Sequence, residues 1–247
     1  MCATLPRLIH LSTTDSTNEV LKSMTENQEL SSGSIVIADY QTAGRGQRGN
    51  SWESEDGKNL IFSILFRPTD LPANMPFVIS EIASLCVKYT LDKYIPEISV
   101  KWPNDIYYKD RKIAGILIEN TILHAKISQS IIGIGINVNQ VEFRSNAPNP
   151  VSLAQIVGFQ LDLIAIMEEF RKIFMEQSEL INSKCLETIH NKYLNSVFRK
   201  DGYHKYRDAG GVFEAIIHNI EPSGHLILKR KDDEYSRYAF KEVSYIF

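Results

Sequence analysis

Apolar residues recur along the chain at two different spacings, which separate the predicted helices from the predicted strands. The helical spacing of i, i+3 and i+4 is clearest after Pro76, in residues that share one helix face: Ile79, Ile82, Ala83, Cys86, Val87, Thr90, Leu91 and Tyr94. Further helices are predicted near residues 152–157, 162–178 and 183–196. Ser16 and Glu19 have the spacing of a capping box, which predicts that another helix begins at Ser16.

Short runs rich in β-branched residues predict strands at residues 35–38, 59–66, 97–102, 113–119 and 127–138. Hairpin-like connections join the last three runs, whereas a doubly wound sheet would need helical crossovers between them. We therefore expect an α+β fold, in which a mixed or antiparallel sheet is flanked by helices.

From about Val197 the pattern changes to short alternating runs, which are typical of a small β-domain. These runs cover residues 212–220, 225–231 and 235–240, and turns that contain glycine separate them. The pattern therefore predicts two domains, residues 1–196 and a small β-barrel at residues 197–247.

Composition and charge narrow the class of protein without identifying it. The 27 Lys and Arg and the 30 Asp and Glu give a net charge of −3, without the basic block expected of a nucleic-acid-binding protein. The 3 cysteines form neither a CxxC pair nor a disulfide framework, which fits a reducing cytoplasm. The 6 histidines lack the spacing of a zinc site. Residues 1–17 lack the apolar core of a signal peptide, and no run has membrane-spanning length.

A glycine-rich segment, GRGQRG at residues 44–49, matches the GxGxxG fingerprint of dinucleotide-binding proteins. That fingerprint requires a strand before it and a helix after it, but residues 50–57 are polar and have no helical period. The P-loop motif also fails, because Asn50 and Ser51 replace its Lys-Ser/Thr pair. What remains is a loop between two strands that carries Arg45 and Arg48, either as solvated surface or as an anion-binding loop.

Two further segments place charged residues beside predicted strands. In KWPND, at residues 101–105, Pro103 forces a turn that presents Asn104 and Asp105 at a strand end. In KIAGIL, at residues 112–117, Lys112 precedes a strand that Gly115 interrupts. Glycine inside a strand often marks the close approach of a ligand or of another backbone segment.

The fourth segment, GIGINVN at residues 133–139, places Gly133 and Gly135 on one strand face, which Asn137 and Asn139 continue. Two missing side chains followed by two amides describe a flat floor for a planar ligand. The alternative is that the glycines accommodate a crossing helix.

These four segments, in this order and at these separations, resemble the signature of biotin protein ligases. The similarity extends from Ser16 to the C-terminus and implies a catalytic domain at residues 1–196 with an SH3-like β-barrel at residues 197–247. It also implies a two-step reaction. Biotin and ATP give biotinyl-5'-AMP, and a lysine of a carrier protein then takes the biotin and releases AMP.

The resemblance implies roles for individual residues. Lys112, Arg45 and Asp105 are the implied catalytic residues: the two cations supply charge where two anions meet, and Asp105 orients the acceptor amine and is a candidate base. The implied biotin contacts are Ser16, Thr17, Asn18, Gln41, Gly44, Arg45, Lys112, Gly115 and Gly133. The implied contacts to ATP and the adenylate are Arg45, Gly46, Arg48, Trp52, Lys101, Asn104, Lys112, Asn137 and Asn139. Mg²⁺ is expected to accompany ATP, without assigned protein ligands.

Two loop positions depart from the best-known bacterial pattern of this family, which has arginine where this chain has Gln47 and Asn50. By resemblance, this loop closes over the adenylate and retains it. With Gln47 and Asn50, the loop carries less positive charge with which to retain the adenylate. Arg45 and Arg48 remain, so the expected reaction is unchanged.

The family also implies partners and a location. The expected acceptor is the biotin carboxyl carrier protein or domain of a biotin-dependent carboxylase, in the cytoplasm and without membrane association. Some members carry an N-terminal winged-helix domain and repress biotin synthesis genes. Only fifteen residues precede Ser16 here, so we expect no specific DNA binding. Exposed strand edges could pair two subunits in a homodimer.

Three other functions stay open at this point. A lipoate or octanoate ligase or transferase shares the general fold of the family, although KWPND and GIGINVN favour biotin. A nicotinamide-dependent oxidoreductase rests on GxGxxG alone. A non-catalytic protein-binding module would rest on the C-terminal barrel and would leave the clustered glycines and lysines unexplained.

Overall fold

The computed structural model describes residues 5–145, 148–182 and 185–247, except for the side chains of Arg48 and Asn182. Its first part contains β1 Leu8–Thr14, α1 Thr17–Asn27, β2 Ile35–Gln41, β3 Leu60–Phe66, α2 Phe77–Leu91, β4 Ile98–Lys101, β5 Asp105–Tyr108, β6 Arg111–Leu123, β7 Lys126–Ile136, α3 Leu153–Val157, α4 Leu163–Asn182 and α5 Leu186–Asn195. A 3₁₀ turn at Gln47–Gly49 lies between β2 and β3. The second part contains β8 His204–Asp208, β9 Gly211–Ile220, β10 Leu226–Arg230, β11 Tyr235–Tyr238 and β12 Ser244–Tyr245.

The larger sheet has the strand order β1-β2-β3-β7-β6-β5-β4. β1 pairs with β2 in parallel, and the other neighbouring strands are antiparallel. Because side chains alternate along a strand, Ile35 and Ile64 join the core that contains α2 and α4, whereas Val36 and Leu65 pack with Leu21 of α1. Helices therefore cover both faces, and the predicted α+β fold with a mixed sheet is confirmed.

The smaller sheet is antiparallel, with the order β11-β10-β9-β8-β12. Its buried residues belong to the same apolar cluster as α2 and α5. Its connection to the larger sheet runs through Val100, whose N–H donates to Ser196 O at 2.8 Å and whose carbonyl accepts from Phe198 N at 2.8 Å. Trp102 Nε1 also donates to Gly224 O at 2.9 Å. The domain boundary at residue 196 stays a prediction, and the hydrogen bonds from Phe198 to Val100 and from Trp102 to Gly224 cross it.

Four strands were not predicted, namely β1, β5, β8 and β12. β1 is an edge strand with a half-polar sequence, LIHLSTT, and much of it is exposed. β5 contains four residues and follows Pro103 directly. Short strands of this kind depend on pairing with their neighbours rather than on their own pattern.

The capping box predicted at Ser16 was wrong, because Ser16 is the N-cap residue of α1 but its side chain makes no capping hydrogen bond. The N–H of Thr17 instead donates to Gln41 Oε1 at 2.8 Å. Within the described residues, no helix is both long enough and apolar enough to cross a membrane.

A buried polar contact joins α2, α5 and the smaller sheet. Glu81 is 2% exposed, and its Oε1 lies 2.7 Å from His190 Nδ1. His190 Nε2 lies 2.9 Å from Asn219 Oδ1, so both ring nitrogens face oxygen atoms. The hydrogen bond to Glu81 raises the pKa of His190, and burial raises the pKa of Glu81. This arrangement favours a protonated histidine that holds three elements together.

We expect this contact to make stability depend on pH above the ordinary histidine pKa of 6.5. Both pKa values are raised by folding, so the folded state binds protons more tightly than the unfolded chain. The contribution is therefore present below pH 6.5 and is lost as the pH rises through the folded pKa of His190. Urea unfolding at several values between about pH 6 and pH 8 measures this decline.

The double variant Glu81→Gln/His190→Gln is expected to lose this part of the pH dependence, because neither amide titrates. His124→Gln is the matched control, since His124 is an exposed residue on the β6–β7 hairpin. A double variant that keeps the pH dependence of the wild type would contradict the assignment.

Candidate active site

The candidate site is organised by one row of residues that runs across the larger sheet. Lys101 pairs with Asp105, Asp105 with Gly115, Gly115 with Gly135, and Gly135 with Ile61. Residues directly opposite each other on antiparallel strands project to the same face. Three of the four predicted motifs therefore meet on one side of the sheet, although they are far apart in sequence.

A cavity of about 410 Å³ lies over this row. It brings together most of the predicted site residues: Ser16, Thr17, Asn18, Gln41, Arg45, Gly46, Trp52, Lys101, Asn104, Asp105, Lys112, Gly115 and Gly133. Its wall also includes Gln47, Asn50 and Ser51 of the glycine-rich loop, and Lys241, Ser244 and Tyr245 of the smaller sheet. The loop, the sheet row, the start of α1 and the smaller sheet thus surround a single space.

The floor of the cavity is made of glycine because other side chains lie directly on it. A Cβ atom at Gly135 would overlap the Trp52 indole, and a Cβ atom at Gly115 would come within 2.9 Å of the same ring. A Cβ atom at Gly133 would overlap the Asn18 amide. The Trp52 indole, from the glycine-rich loop, therefore covers one end of the floor, and the first turn of α1 covers the other end.

A hydrogen-bonded network fixes the polar end of the cavity. Thr17 Oγ1 donates to Gln41 Oε1 at 3.1 Å, and Ser63 Oγ donates to Asn18 Oδ1 at 2.6 Å. Asn18 Nδ2 donates to Glu119 Oε2 at 3.0 Å. Ser63 and Glu119 were not predicted. Ser63 could have been found as a polar break in the apolar strand LIFSILF, and Glu119 from its alternation with Gly115.

Lys112 reaches the same face as Gly115 although the two residues are three positions apart, which in a regular strand would place them on opposite faces. The pairing of β5 with β6 shifts register between Ile106 and Tyr107, and an irregularity of this kind can re-aim a side chain. Lys112 Nζ then lies 2.6 Å from Asp105 Oδ1, and both side chains are 22% exposed. The same ammonium lies 5.6 Å from the centre of the Trp52 ring.

Arg45 is likewise paired with acidic groups. Its Nη2 donates to Glu19 Oε1 at 2.6 Å and lies 3.8 Å from Glu119 Oε1. Arg45 and Lys112 therefore both hold carboxylates of the protein itself. An anionic substrate would exchange places with these carboxylates rather than bind to bare cations.

Five predicted site residues require separate comment. Asn137 and Asn139 do not line the cavity, because β7 ends at Ile136 and the face that they were expected to continue ends with it. Their Nδ2 atoms instead donate to Val151 O at 3.1 Å and Leu161 O at 2.9 Å, which secures the chain beyond the sheet.

Gly44, at the start of the glycine-rich loop, does not line the cavity. A Cβ atom there would lie 2.7 Å from Trp52 O, so this glycine allows the two ends of the loop to approach each other. The side chain of Arg48 lies outside the described part of the structure. Asn104 does line the cavity, and its Nδ2 donates to Ile116 O at 2.7 Å, which fixes the KWPND turn against β6.

Comparison with known proteins places this geometry in a family. The biotin/lipoate A/B protein ligase family matches residues 11–137, which is just over half of the chain and spans the four motifs almost completely. The chain belongs to this family. Its relatives include the bifunctional ligase/repressor BirA of Escherichia coli (strain K12), which is 43% identical over 153 residues.

That alignment covers 60% of this chain and 46% of the E. coli protein, so the chain spans about half the length of this relative. The biotin--[acetyl-CoA-carboxylase] ligase of Paracoccus denitrificans is 28% identical over 227 residues, which cover 89% of this chain and 92% of that protein. Among solved structures, the biotin protein ligase from Aquifex aeolicus in complex with biotin and ATP has a TM-score of 0.77 and 26% identity. The match covers 97% of this chain and 98% of that one.

The variant Gly135→Ala tests the contact between the floor of the cavity and the Trp52 indole. The added methyl group would overlap the indole, so we expect Trp52 to move away from the sheet and its fluorescence emission to shift to longer wavelength. The contribution of Trp52 is identified by comparison with Trp52→Phe. Gly210→Ala, in a turn of the smaller sheet, is the control. If the emission of Gly135→Ala equals that of the wild type, the packing of Trp52 on Gly135 is contradicted.

Proposed function

We propose that this chain activates biotin with ATP to form biotinyl-5'-AMP and then transfers biotin to a lysine of a carrier protein or domain. The observation that carries the proposal is the row of Lys101, Asp105, Gly115 and Gly135, with Lys112 beside it, in a cavity of a member of the biotin/lipoate ligase family. The names of the relatives favour biotin over lipoate. Lipoate or octanoate transfer is the alternative, because the family description includes both ligands.

The first step joins two anions. A carboxylate oxygen of biotin attacks the α-phosphorus of ATP, the bond to the bridging oxygen breaks, and pyrophosphate leaves. Positive charge where the two anions meet lowers the barrier to this reaction. Lys112 and Arg45 are the candidate suppliers in the cavity, and Lys112 is suited to follow the carboxylate into the adenylate because its ammonium is a compact point charge.

The second step needs an uncharged amine. The acceptor ammonium loses a proton, its nitrogen attacks the carbonyl carbon of the adenylate, and AMP leaves with the electron pair of the broken C–O bond. Asp105 is bound to Lys112 at 2.6 Å before substrate enters. When Lys112 turns to the biotin carboxylate, Asp105 becomes available to orient the acceptor amine and to take its proton.

The polar end of the cavity suits the ring system of biotin. A cyclic urea presents N–H donors and a carbonyl acceptor in one plane, so its recognition requires donors and acceptors that are held in fixed positions. Ser16, Thr17, Asn18 and Gln41 supply hydroxyl and amide groups there. The network through Ser63 holds Thr17, Asn18 and Gln41 in place.

We propose that magnesium enters as the ATP complex rather than through a resident metal site. Asp105 is the only carboxylate among the described residues that line the cavity, and Lys112 neutralises it. Within the described residues there is also no group of three or more His, Cys, Asp or Glu side chains placed to hold a metal ion.

We further propose that the acceptor is the biotin carboxyl carrier protein or domain of a biotin-dependent carboxylase, and that the reaction takes place in the cytoplasm. The relative from Paracoccus denitrificans is named for such an acceptor enzyme, acetyl-CoA carboxylase. The proposal includes no operator binding by this chain, and it is compatible with a homodimer that forms through exposed strand edges.

Biotin-dependent exchange of pyrophosphate into ATP tests the first step. The wild type is expected to exchange only when biotin is present, and Lys112→Ala is expected to lose about 100-fold or more, because a cation at the reacting oxygens is removed. Lys93→Ala is the matched control, since Lys93 is an exposed lysine that pairs with Glu169 at 3.5 Å on the helical side of the protein. Folded wild type that exchanges with lipoate or octanoate, but not with biotin, would favour the alternative.

A further inference from the structure

A cage of three aromatic rings surrounds the ammonium of Lys101 at the wall of the cavity. Lys101 Nζ donates to Tyr107 Oη at 3.0 Å and lies 4.7 Å from the centre of that ring. The same atom lies 5.2 Å from the Tyr245 ring and 5.3 Å from the Phe247 ring. Tyr107 belongs to the larger sheet, whereas Tyr245 and Phe247 come from the end of the smaller sheet.

Lys101 differs from the other two cations of the site in how its charge is balanced. Arg45 pairs with Glu19 and Lys112 pairs with Asp105, each at 2.6 Å. Among the described residues, Lys101 makes no such ion pair, although Asp105 lies opposite it on the neighbouring strand. The negative faces of aromatic rings attract a cation without cancelling its charge. The cage therefore leaves a positive centre at the cavity wall for an anion to bind.

The rings are held by contacts that are independent of Lys101. Tyr245 pairs with Tyr206 between β12 and β8, and Ile246 N donates to Lys205 O at 3.0 Å. Arg199 Nη1 donates to Ile246 O at 2.7 Å, and its guanidinium lies 4.7 Å from the Phe247 ring. The segment from Tyr245 to Phe247 is thus fixed on the smaller sheet before any ligand enters.

Burial lowers the pKa of Lys101, because few waters remain to solvate its ammonium. A desolvated cation attracts an anion more strongly than a solvated one, provided that it keeps its proton. The adjacent Asp105 acts in the opposite direction on this pKa and helps to keep the lysine charged.

We propose that Tyr245 and Phe247 are positioning residues, which hold the Lys101 ammonium so that it binds the polyphosphate of a nucleoside triphosphate. This inference rests on the proposed function, because ATP is the anion that carries several negative charges in that reaction. Through Tyr245 and Phe247, the smaller sheet would then contribute to substrate binding. Neither residue belongs to the glycine-rich loop or to the KWPND segment.

Calorimetric titration of the full-length protein with MgATP tests the inference. Phe247→Leu keeps apolar bulk but removes the ring, and we expect it to raise the Kd for MgATP about threefold to tenfold. Phe247→Tyr keeps a ring and is expected to stay close to the wild type. Phe213→Leu is the matched control, because Phe213 stacks on Tyr206 and Tyr238 of the same sheet and, among the described residues, has no ring contact with the three rings around the ammonium.

A double-mutant cycle separates positioning from general support of the fold. In a Lys101→Met background, Phe247→Leu is expected to have no further effect on the Kd for MgATP, because the ring acts through the lysine. An equal effect in both backgrounds, or an effect of Phe213→Leu as large as that of Phe247→Leu, would overturn the inference. The melting temperature of each variant, measured in parallel, shows whether the fold is intact.

Pyrophosphate exchange by the wild type distinguishes a failure of this inference from a failure of the proposed function. If exchange depends on biotin but Phe247→Leu binds MgATP as the wild type does, the positioning role of Phe247 is wrong and the ligase proposal stands. If exchange with biotin is absent while Phe247→Leu weakens MgATP binding only when Lys101 is present, the ligase proposal falls and the cage stands.

Discussion

The hydrogen-bond register of five strands, β3, β7, β6, β5 and β4, decides which residues meet in the cavity. A shift of one residue in any of these pairings would turn a glycine or a charged side chain to the opposite face. In the observed register, Lys101, Asp105, Gly115 and Gly135 form one row, and Gly133 pairs with Ser63 in the neighbouring row. The buried apolar residues on the other face, such as Ile134 and Ile136, hold this register in place.

Two of the three cations of the site are paired with carboxylates of the protein before substrate arrives. Lys112 holds Asp105, Arg45 holds Glu19, and aromatic rings surround Lys101. For Lys112 and Arg45, exchange of partners costs less than the desolvation of an isolated charge, because each of these two cations keeps an anion throughout. The exchange also frees Asp105 at the moment when the amine needs an acceptor for its proton, so one ion pair can serve both steps of the proposed reaction.

Much of the fold and of the candidate site could be predicted from local sequence patterns. The rest depends on pairing between residues that are far apart in sequence. α2 was predictable from the helical period of its apolar residues, and β3 from a nearly continuous apolar run. Lys112 and Gly115 were predictable from a glycine that interrupts a strand. β1 and β5 were not, because edge position and brevity leave them dependent on their neighbours. Ser63 and Glu119 left a signal in the sequence, as a polar break in an apolar strand and by alternation with Gly115. Tyr245 and Phe247 reach the site only through the docking of the smaller sheet. Asn137 and Asn139 show the converse, since alternation placed them in a strand that had already ended at Ile136.

Mass spectrometry of an acceptor carrier domain incubated with this protein, biotin and ATP would test the central claim most directly. The account predicts the addition of one biotinyl group to one lysine of the acceptor, which requires both biotin and ATP and is lost in Lys112→Ala. An acceptor that stays unmodified in the presence of folded protein, or one that gains a lipoyl or octanoyl group instead, would contradict it.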